Sequence, residues 1–260
     1  MTKLVLDLTK SIDENATVYF EKAKKIKRKI EGAEKALESN LKKLKELEAK
    51  RDKFLEKTKK EKSDRKKEWY EKFRWFTSSE GFLIIGGRDA TSNEIVIKKH
   101  TDANDLVFHT DMAGSPFFVI KTEGKGVSEK TKEEVADATC TFSRAWKLGL
   151  QTTSVFYANP DQISKKTKSG EYMGKGAFMV YGKTIHVNNK LNLAVGMNKN
   201  NQIMSGPLEA IKAHCEKYAI IEQGTEKASN IGKILRHKLG GELDEIIRAL
   251  PSGGFKISKH

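Results

Sequence analysis

The sequence of 260 residues contains no run of about 18 apolar residues, the length that a membrane-spanning helix requires. Its first residues, MTKLVLDLTK, lack the long apolar core of a secretory signal. The chain has only two cysteines, Cys140 and Cys215, which are far apart and have neither a CxxC spacing nor a histidine at ligand spacing. A disulfide framework and a zinc site are therefore not expected. We predict a cytoplasmic protein that uses no metal ion and no cofactor.

Apolar residues are few for a single globular domain, since 37% of the chain is hydrophobic and 32% is charged. The formal net charge is +14, and much of it lies in residues 21–70, which hold 20 Lys and Arg against 11 Asp and Glu. A concentrated cationic surface suits a polyphosphate partner such as RNA or DNA, because lysine contacts release the counterions condensed on the polymer. The alternative is a solvated, Lys/Glu-rich helix without such a partner.

Proline is absent between Thr9 and Trp75, and Gly32 is the one glycine in that stretch, so a long helix can form there. Apolar residues recur in two heptad seams, namely Ala23, Ile30, Leu37 and Leu44, and Ile26, Ala33, Leu47 and Phe54. This pattern predicts a coiled-coil arm over residues 1–76. The seams need a partner: the arm folds back as a hairpin near residues 51–64, which we favour, or it self-associates with a second chain.

An aromatic cluster marks the end of the arm. It lies where the lysine-rich segment gives way to an apolar one and comprises Trp69, Tyr70, Phe73, Trp75 and Phe76. Spacings of three and four residues place Trp69, Phe73 and Phe76 on one face of a last helical turn or two. We therefore predict a hinge in which the helix inserts its aromatic end into a globular domain.

The remaining chain alternates between short β-type runs and amphipathic segments. Strands are predicted at residues 4–8, 82–85, 94–100, 106–111, 117–121, 153–158, 177–181, 184–187 and 255–257, with hairpins formed by 94–100 and 106–111 and by 177–181 and 184–187. Helices are predicted at residues 128–147, 207–218, 227–239 and 243–250. These elements predict an α+β fold, a mostly antiparallel sheet with flanking helices, preceded by the long basic coiled-coil helical arm. We divide the chain into the arm 1–76, an α+β domain 77–195 and a C-terminal helical extension 196–260 that packs on it.

Arg88 follows the glycine pair Gly86-Gly87, which allows the backbone to approach a ligand closely. Arginine is well suited to bidentate contact with phosphate or guanine. Arg88-Asp89, together with Asn93-Glu94, is therefore a candidate contact with nucleic acid. The alternative is an internal Arg88–Asp89 ion pair that fixes the hinge.

His109 and Asp111 are two residues apart on a predicted strand, so both lie on the same face. They could form a base with its orienting carboxylate or two metal ligands, but a zinc site needs three or four ligands. The serines follow no nucleophile-elbow pattern. We expect contact with a ribose or phosphate, or a buried hydrogen-bond cluster, and we do not expect an enzyme.

Residues 162–172, QISKKTKSGEY, form the strongest binding candidate. Glycine frees backbone N–H groups, the lysines supply charge, the serines supply hydroxyls, and Tyr172 can stack on a base. The GxxxxGK[ST] spacing of a P-loop is absent. The alternative is a flexible basic surface loop.

Several motifs in order resemble the NFACT family. The segments GFLIIGGRDATSNEI, LVFHTDMAGSPFFVIK and DQISKKTKSGEYMGKGAFMVYGK are similar to the NFACT-R domain of RqcH-like, NEMF-like and fibronectin-binding-protein-A-like factors. Upstream, LDLTKSIDENATVYFEKAKKIKRKIEGAEKALE resembles the coiled-coil region that precedes this domain in archaeal and eukaryotic members. The resemblance covers about residues 4–195. The NFACT-N region and the helix–hairpin–helix module of the family have no counterpart in this sequence.

The resemblance implies a function in ribosome-associated quality control. Members bind the large ribosomal subunit obstructed by peptidyl-tRNA and recruit tRNA, the R domain is regarded as the RNA-binding part, and a stand-alone relative is described as binding DNA. We therefore predict a non-catalytic RNA-binding component whose partners are tRNA and large-subunit RNA, with a separately encoded NFACT-N-like protein as a further partner. The alternative is a stand-alone RNA- or DNA-binding module, or a coiled-coil interaction module, not tied to the ribosome.

The residue patterns and the resemblance together give the candidate site residues; the resemblance picks out most of them by motif position, whereas Trp69, Trp75, Lys166 and Lys168 come from the residue patterns alone. Nucleic-acid contacts are predicted at Arg88, Asn93, His109, Gln162, Ser164, Lys165, Lys166, Lys168, Ser169 and Tyr172. Structural roles are predicted at Trp69, Trp75, Gly86, Gly87, Asp89, Glu94, Asp111, Gly114, Gly170 and Glu171.

Overall fold

A computed structural model of the chain describes residues 5–60, 65–166 and 173–258. The chain forms two compact units, residues 1–65 and residues 66–260. None of the helices in the described ranges is long and apolar enough to cross a membrane.

The first unit is built on helix α1, Ile12–Lys60, which is 49 residues long. A capping box begins this helix: the Ser11 hydroxyl accepts a hydrogen bond from the Glu14 N–H at 3.2 Å, and the Glu14 carboxylate accepts one from the Ser11 N–H at 2.8 Å. The predicted long basic helix is confirmed.

One prediction for the arm is wrong, and a second is contradicted over the residues that the structure describes. Residues 5–8 form an irregular segment and a turn in place of a strand, and the Asp7 N–H there donates to the Asn15 side-chain oxygen at 2.8 Å. The backbone remains helical through Lys60, so no hairpin turn forms at residues 51–60, where neither glycine nor proline interrupts the chain; residues 61–64 lie outside the described ranges. The seam side chains Leu37 and Leu44 are 61% and 52% exposed. Their pairing with a partner stays a prediction.

The second unit contains six further α-helices and twelve strands among its described residues. The strands are β1 Arg74–Thr77, β2 Leu83–Gly86, β3 Leu106–Thr110, β4 Phe118–Lys121, β5 Val155–Ala158, β6 Ile163–Ser164, β7 Met179–Val180, β8 Ile185–Val187, β9 Leu193–Asn198, β10 Ile203–Gly206, β11 Cys215–Glu226 and β12 Phe255–Ile257. The helices are α2 Ala90–Lys99, α3 Glu129–Thr141, α4 Arg144–Leu148, α5 Leu208–His214, α6 Ala228–Leu239 and α7 Leu243–Ala249.

The strands form two larger antiparallel sheets and one short pair. The first sheet has six strands in the order β1-β2-β4-β3-β5-β8, and the second has four in the order β10-β9-β11-β12. Strands β6 and β7 pair with each other. Helix α3 packs on the first sheet, whereas α5, α6 and α7 pack on the second. This arrangement confirms the predicted α+β fold with a mostly antiparallel sheet and flanking helices.

The two sheets meet where β1 contacts β10. A side-chain carbon at Gly206 would lie 2.8 Å from the Phe76 ring, so glycine allows β10 to approach this fully buried phenylalanine. Buried side chains from both sheets, including Phe76, Val195 and Met204, belong to one continuous core. The second sheet therefore supports the first directly.

The predicted strand at residues 94–100 is wrong, because these residues belong to helix α2. The Asp89 carboxylate accepts a hydrogen bond from the Ser92 N–H at 2.8 Å, and the Ser92 hydroxyl accepts one from the Asp89 N–H at 2.9 Å. This reciprocal cap begins a helix that buries Asn93 and Val96. The local cap outweighs the alternating apolar pattern, and the predicted hairpin with residues 106–111 does not form.

The aromatic cluster is not the last turn of a helix. Residues Trp69–Lys72 form a short 3-10 helix, and Trp75 and Phe76 lie in strand β1, where both are buried. Two adjacent buried residues mean that both faces of β1 are covered, which hides the alternation expected of a strand. Helical spacing was therefore the wrong interpretation of these aromatic residues.

Three further boundaries differ from the prediction. The helix predicted at 128–147 is divided into α3 and α4 at Phe142-Ser143, because the Ser143 hydroxyl accepts a hydrogen bond from the Ala145 N–H and starts a new helix. Strand β7 pairs with β6, and β8 pairs with β5, so the hairpin predicted over 177–187 does not form. The helix predicted at 207–218 ends at His214, and residues 191–226 contribute three strands that the sequence analysis missed. The three-part domain division stays a prediction.

Gly86 in β2 provides a test of the sheet. A side-chain carbon at Gly86 would lie 2.4 Å from the ring of Phe118, its cross-strand partner, and that ring is fully buried and cannot move aside. We expect Gly86→Ala to lower the free energy of unfolding by about 1–3 kcal/mol through overpacking. Urea unfolding followed by circular dichroism measures the change.

Gly126→Ala is the matched control, because no atom lies within 4 Å of the added carbon and the residue is exposed. We expect its free energy of unfolding to stay within about 0.5 kcal/mol of the wild-type value. Equal stability of the two variants would contradict the packing described for β2 and β4.

Candidate nucleic-acid interface

A cleft of about 360 Å³ opens in the second unit, between the start of α2, the turn that joins β3 to β4, helix α4 and residues 175–178. Six of the residues selected from the sequence line it, namely Gly87, Arg88, Asp89, Asn93, His109 and Gly114. The lining also includes side chains that the sequence analysis did not select, among them Arg74, Phe117, Phe142, Arg144, Lys147, Lys175 and Phe178. We refer to this feature as the arginine cleft.

The lining of the arginine cleft is strongly cationic. Five basic side chains line it, Arg74, Arg88, Arg144, Lys147 and Lys175, against one carboxylate, that of Asp89. The Asp89 carboxylate already accepts hydrogen bonds from the backbone and hydroxyl of Ser92, which lower its pKa below the usual value. The cleft therefore has a surplus of positive charge that its own residues do not neutralise.

Arg88 lines the arginine cleft and has backbone oxygens as its hydrogen-bond partners. Its guanidinium donates to the carbonyl of Arg248 at 2.5 Å and to that of Phe73 at 2.7 Å, while its Nε is buried and has no partner among the described residues. Burial, followed by the nearby charge of Arg248, lowers the pKa of Arg88 to about 10, so the group remains charged at neutral pH. The internal Arg88–Asp89 ion pair considered from the sequence does not form.

Arg74, at the start of β1, is the second fixed guanidinium. It donates to the Leu250 carbonyl at 3.2 Å and lies 4.4 Å from the centre of the Phe142 ring, a cation–π contact. Burial, together with the neighbouring charge of Arg88, lowers its pKa to about 9. The arginine still carries its proton at neutral pH, so two guanidinium groups repel each other beside the cleft.

The outer part of the arginine cleft carries exposed cations. Arg144 and Lys147 are three residues apart on α4 and therefore lie on one face of it. Neither they nor Lys175 forms an ion pair with any residue in the described ranges. In the sequence, the only signal for these three residues as ligand contacts is their neighbours. Arg144 and Lys147 lie close to Phe142 and Trp146, and Lys175 lies between Gly174 and Gly176.

In the arginine cleft, Asn93 and Gly87 contact neighbouring parts of the protein. The Asn93 side chain accepts a hydrogen bond from the Phe117 N–H at 3.1 Å and donates one to the Ser115 carbonyl at 3.3 Å, which ties α2 to the turn before β4. A side-chain carbon at Gly87 would lie 1.8 Å from the Asn93 side-chain oxygen, so only glycine fits there. Contact of Asn93 with nucleic acid stays a prediction.

His109 and Asp111 are not hydrogen-bonded to each other. The His109 Nδ1–H donates to the Pro116 carbonyl at 3.0 Å, and its ring stacks on Phe117 with 3.8 Å between centroids. The Asp111 carboxylate accepts a hydrogen bond from the Ser154 hydroxyl, which also lies 3.3 Å from His186. Since a serine bridges the carboxylate and the histidine, this cluster does not have the order of a nucleophile–base–carboxylate triad. The described residues contain no group of three that could hold a metal ion.

The base of the 162–172 segment is held in place by its own side chains. The Gln162 amide donates to the Tyr181 and Lys183 carbonyls at 2.9 and 3.0 Å. The Lys165 ammonium donates to the Gly174 carbonyl at 3.2 Å and lies 3.6 Å from the Glu94 carboxylate. Ser164 accepts a hydrogen bond from the N–H of Lys166, whose side chain is exposed.

The remaining selected residues lie in several places. Lys168, Ser169, Gly170, Glu171 and Tyr172 are outside the described ranges. Trp69 and Trp75 line a neighbouring hollow together with Arg74, Arg88 and Arg248. Their predicted roles stay predictions.

Residues 72–182 match the family model described as the NFACT protein RNA binding domain. The chain belongs to the NFACT family. All basic residues of the arginine cleft lie within the matched range, whereas the Arg248 and Leu250 carbonyls that hold two of them lie beyond it.

Two curated relatives support the family assignment. The chain is 41% identical over 207 residues to the archaeal Rqc2 homolog aRqcH of Methanocaldococcus jannaschii, an alignment that covers 77% of this chain and 31% of that protein. It is 38% identical over 176 residues to the ribosome quality control complex subunit NEMF of Mus musculus, covering 65% of this chain and 16% of that protein. The chain thus spans less than a third of the length of these relatives.

One solved structure has a weaker likeness. It is the C-terminal part of the fibronectin/fibrinogen-binding protein from Streptococcus suis, at 20% identity and a TM-score of 0.39 over 50% of each chain.

The pH dependence of His109 tests its position. Burial lowers the pKa of His109 below its usual value of 6.5, against the opposing effects of the Pro116 carbonyl and Asp111. The unfolded chain therefore binds a proton before the folded chain does, and stability should fall as the pH drops below about 6.5. We expect the His109 ring resonance in an NMR titration to have a midpoint below 6.5.

The pKa of His100 is lowered in the same direction, so the His109 resonance must be assigned by its loss from the spectrum of His109→Gln. A midpoint at or above 6.5 would contradict the burial of this ring.

Proposed function

We propose that this chain binds RNA in ribosome-associated quality control, and that tRNA, the obstructed large ribosomal subunit or both supply the RNA. In this proposal the chain is not an enzyme by itself. The main support for this proposal is the arginine cleft. Its lining has five cationic side chains and one carboxylate, that of Asp89, which already accepts a hydrogen bond from Ser92.

Arg74 and Arg88 are half-buried, and positive charge that is partly removed from water without a counter-charge is unfavourable; an anionic ligand reduces that cost. Phosphate is an anion that arginine recognises well, because the planar guanidinium can donate to two phosphate oxygens. The positions of Arg74 and Arg88 are fixed by carbonyl groups before any ligand arrives, so little side-chain entropy is lost on binding.

The place of this binding in ribosome quality control is supported by the names of the relatives, which are an Rqc2 homolog and a quality control complex subunit. The chain spans under a third of the length of these relatives. Binding of this chain to the ribosome or to other members of a quality control complex is therefore part of the proposal. A separately encoded NFACT-N-like protein and cytoplasmic ribosomes are further expectations of the same proposal.

The exposed seam of α1 favours a second function, an interaction module. Leu37, Leu44 and Leu47 leave half or more of their side chains in water, which is unusual for leucines in heptad seams. A second copy of the chain would cover this seam as a coiled coil.

The RNA proposal is tested with the double substitution Arg144→Glu/Lys147→Glu. Both residues are exposed, so the fold should not change. We expect tRNA affinity to fall by about tenfold or more at low salt, and the slope of log affinity against log salt to shrink by roughly one for each lost phosphate contact. Filter retention of labelled tRNA over a series of salt concentrations measures both quantities.

Lys233→Glu/Lys238→Glu is the matched control, since both lysines are exposed on α6 and the change in net charge is the same. The proposal would be refuted if the tRNA affinity of the wild type did not change with salt concentration. It would also be refuted if the control variant lost as much tRNA affinity as Arg144→Glu/Lys147→Glu. An unlabelled DNA duplex that competes as well as tRNA would favour the stand-alone nucleic-acid-binding alternative.

A further inference from the structure

The arginine cleft has a defined size as well as a charge. Its volume of about 360 Å³ lies near the lower end of the range of about 300–1,000 Å³ found for small-molecule sites. A space of this size takes one nucleotide but not a base-paired helix. We propose that the arginine cleft binds a single unpaired nucleotide of the RNA, with its phosphate held by Arg144, Lys147 and Lys175. This inference rests on the proposed RNA binding and names the part of the RNA that enters.

Cationic side chains from separate segments of the chain line the cleft and could bind a phosphate. Arg144 and Lys147 come from α4 on one side, and Lys175 comes from the opposite side, where it lies close enough to Asp89 to lower the pKa of that carboxyl. Lys175 is held there by its neighbour: Gly176 has a φ of +76°, and a side-chain carbon on it would lie 2.4 Å from the Ala90 backbone. The segment that carries Lys175 therefore lies directly against the start of α2.

The turn between β3 and β4 leaves the cleft open to a ligand. Gly114 has a φ of +82°, and a side-chain carbon on it would lie 3.7 Å from the Arg144 side chain. A residue with a side chain would be strained here and would occupy the space beside Arg144. Glycine at this position gives a phosphate access to the guanidinium.

An aromatic surface suits the base of the same nucleotide. Phe178 is half-buried, contacts the edge of Phe117 at 5.5 Å between centroids, and carries the Lys165 ammonium 4.7 Å from its ring centre. Proteins hold unpaired bases by stacking them on such rings. Arg88 also lines the cleft, and its buried Nε has no partner among the described residues.

Isothermal titration calorimetry with adenosine monophosphate, adenosine and inorganic phosphate tests the site on the full chain. We expect adenosine monophosphate to bind, and adenosine to bind about tenfold more weakly or not at all, because it lacks the charge-assisted hydrogen bonds. Arg144→Gln/Lys147→Gln should weaken the nucleotide about tenfold, whereas Lys233→Gln/Lys238→Gln should bind it as the wild type does. If inorganic phosphate bound as tightly as adenosine monophosphate, the base would contribute nothing to binding, and the proposal would be overturned.

Competition identifies the source of the nucleotide. In filter retention, adenosine monophosphate should displace a short single-stranded RNA from the wild type. Nucleotide binding that leaves RNA retention unchanged would mean that the cleft takes a free nucleotide, and it would overturn the inference while the RNA-binding proposal stands. No nucleotide binding at millimolar concentration would overturn the inference as well. A chain that binds the nucleotide but retains no RNA at any salt would instead refute the proposed function.

Discussion

Two guanidinium groups, those of Arg74 and Arg88, are held by backbone carbonyl oxygens where buried arginines ordinarily pair with carboxylates. A carbonyl fixes the position of the guanidinium but does not cancel its charge. Burial lowers the pKa of both groups, helped by the charge of Arg88 at Arg74 and by the charge of Arg248 at Arg88. The values are about 9 for Arg74 and about 10 for Arg88, so both stay protonated at neutral pH. The cationic character of the cleft follows from this arrangement.

The arrangement depends on both sheets of the second unit. Arg74 and Arg88 belong to the region of β1 and β2, whereas two of the three carbonyls that hold them come from Arg248 and Leu250, at the end of α7. Those two residues lie outside the range that matches the RNA-binding family model. The part of the chain beyond residue 182 therefore contributes to the cleft by positioning its arginines.

The sequence predicted features whose signals are local. The absence of proline and the heptad seams indicated α1, and an apolar run ended by glycine indicated β2. Helix α2 was missed even though its signal is also local, because the alternation of Ile95 and Ile97 was given more weight than the Asp89 cap. The Gly86–Gly87 pair was selected for closeness to a ligand, but the structure shows closeness to Phe118 and Asn93.

The arginine cleft itself could be predicted only in part. Gly87, Arg88, Asp89, Asn93, His109 and Gly114 were selected from motifs, but Arg74, Arg144, Lys147 and Lys175 come from distant parts of the chain. Pairing of β2 with β4 and the break between α3 and α4 bring these segments together, and neither the sheet order nor that break has a strong local signal. The order of strands that are distant in sequence, more than the type of residue, decides which cationic side chains line the same cleft.

Photo-crosslinking to a single-stranded RNA that contains 4-thiouridine, followed by mass spectrometry, tests the central claim most directly. If the cleft is the RNA interface, cross-linked peptides should include residues 142–147 and 173–178, from its two sides. Cross-links confined to α1, or to α6 and α7, would contradict the account.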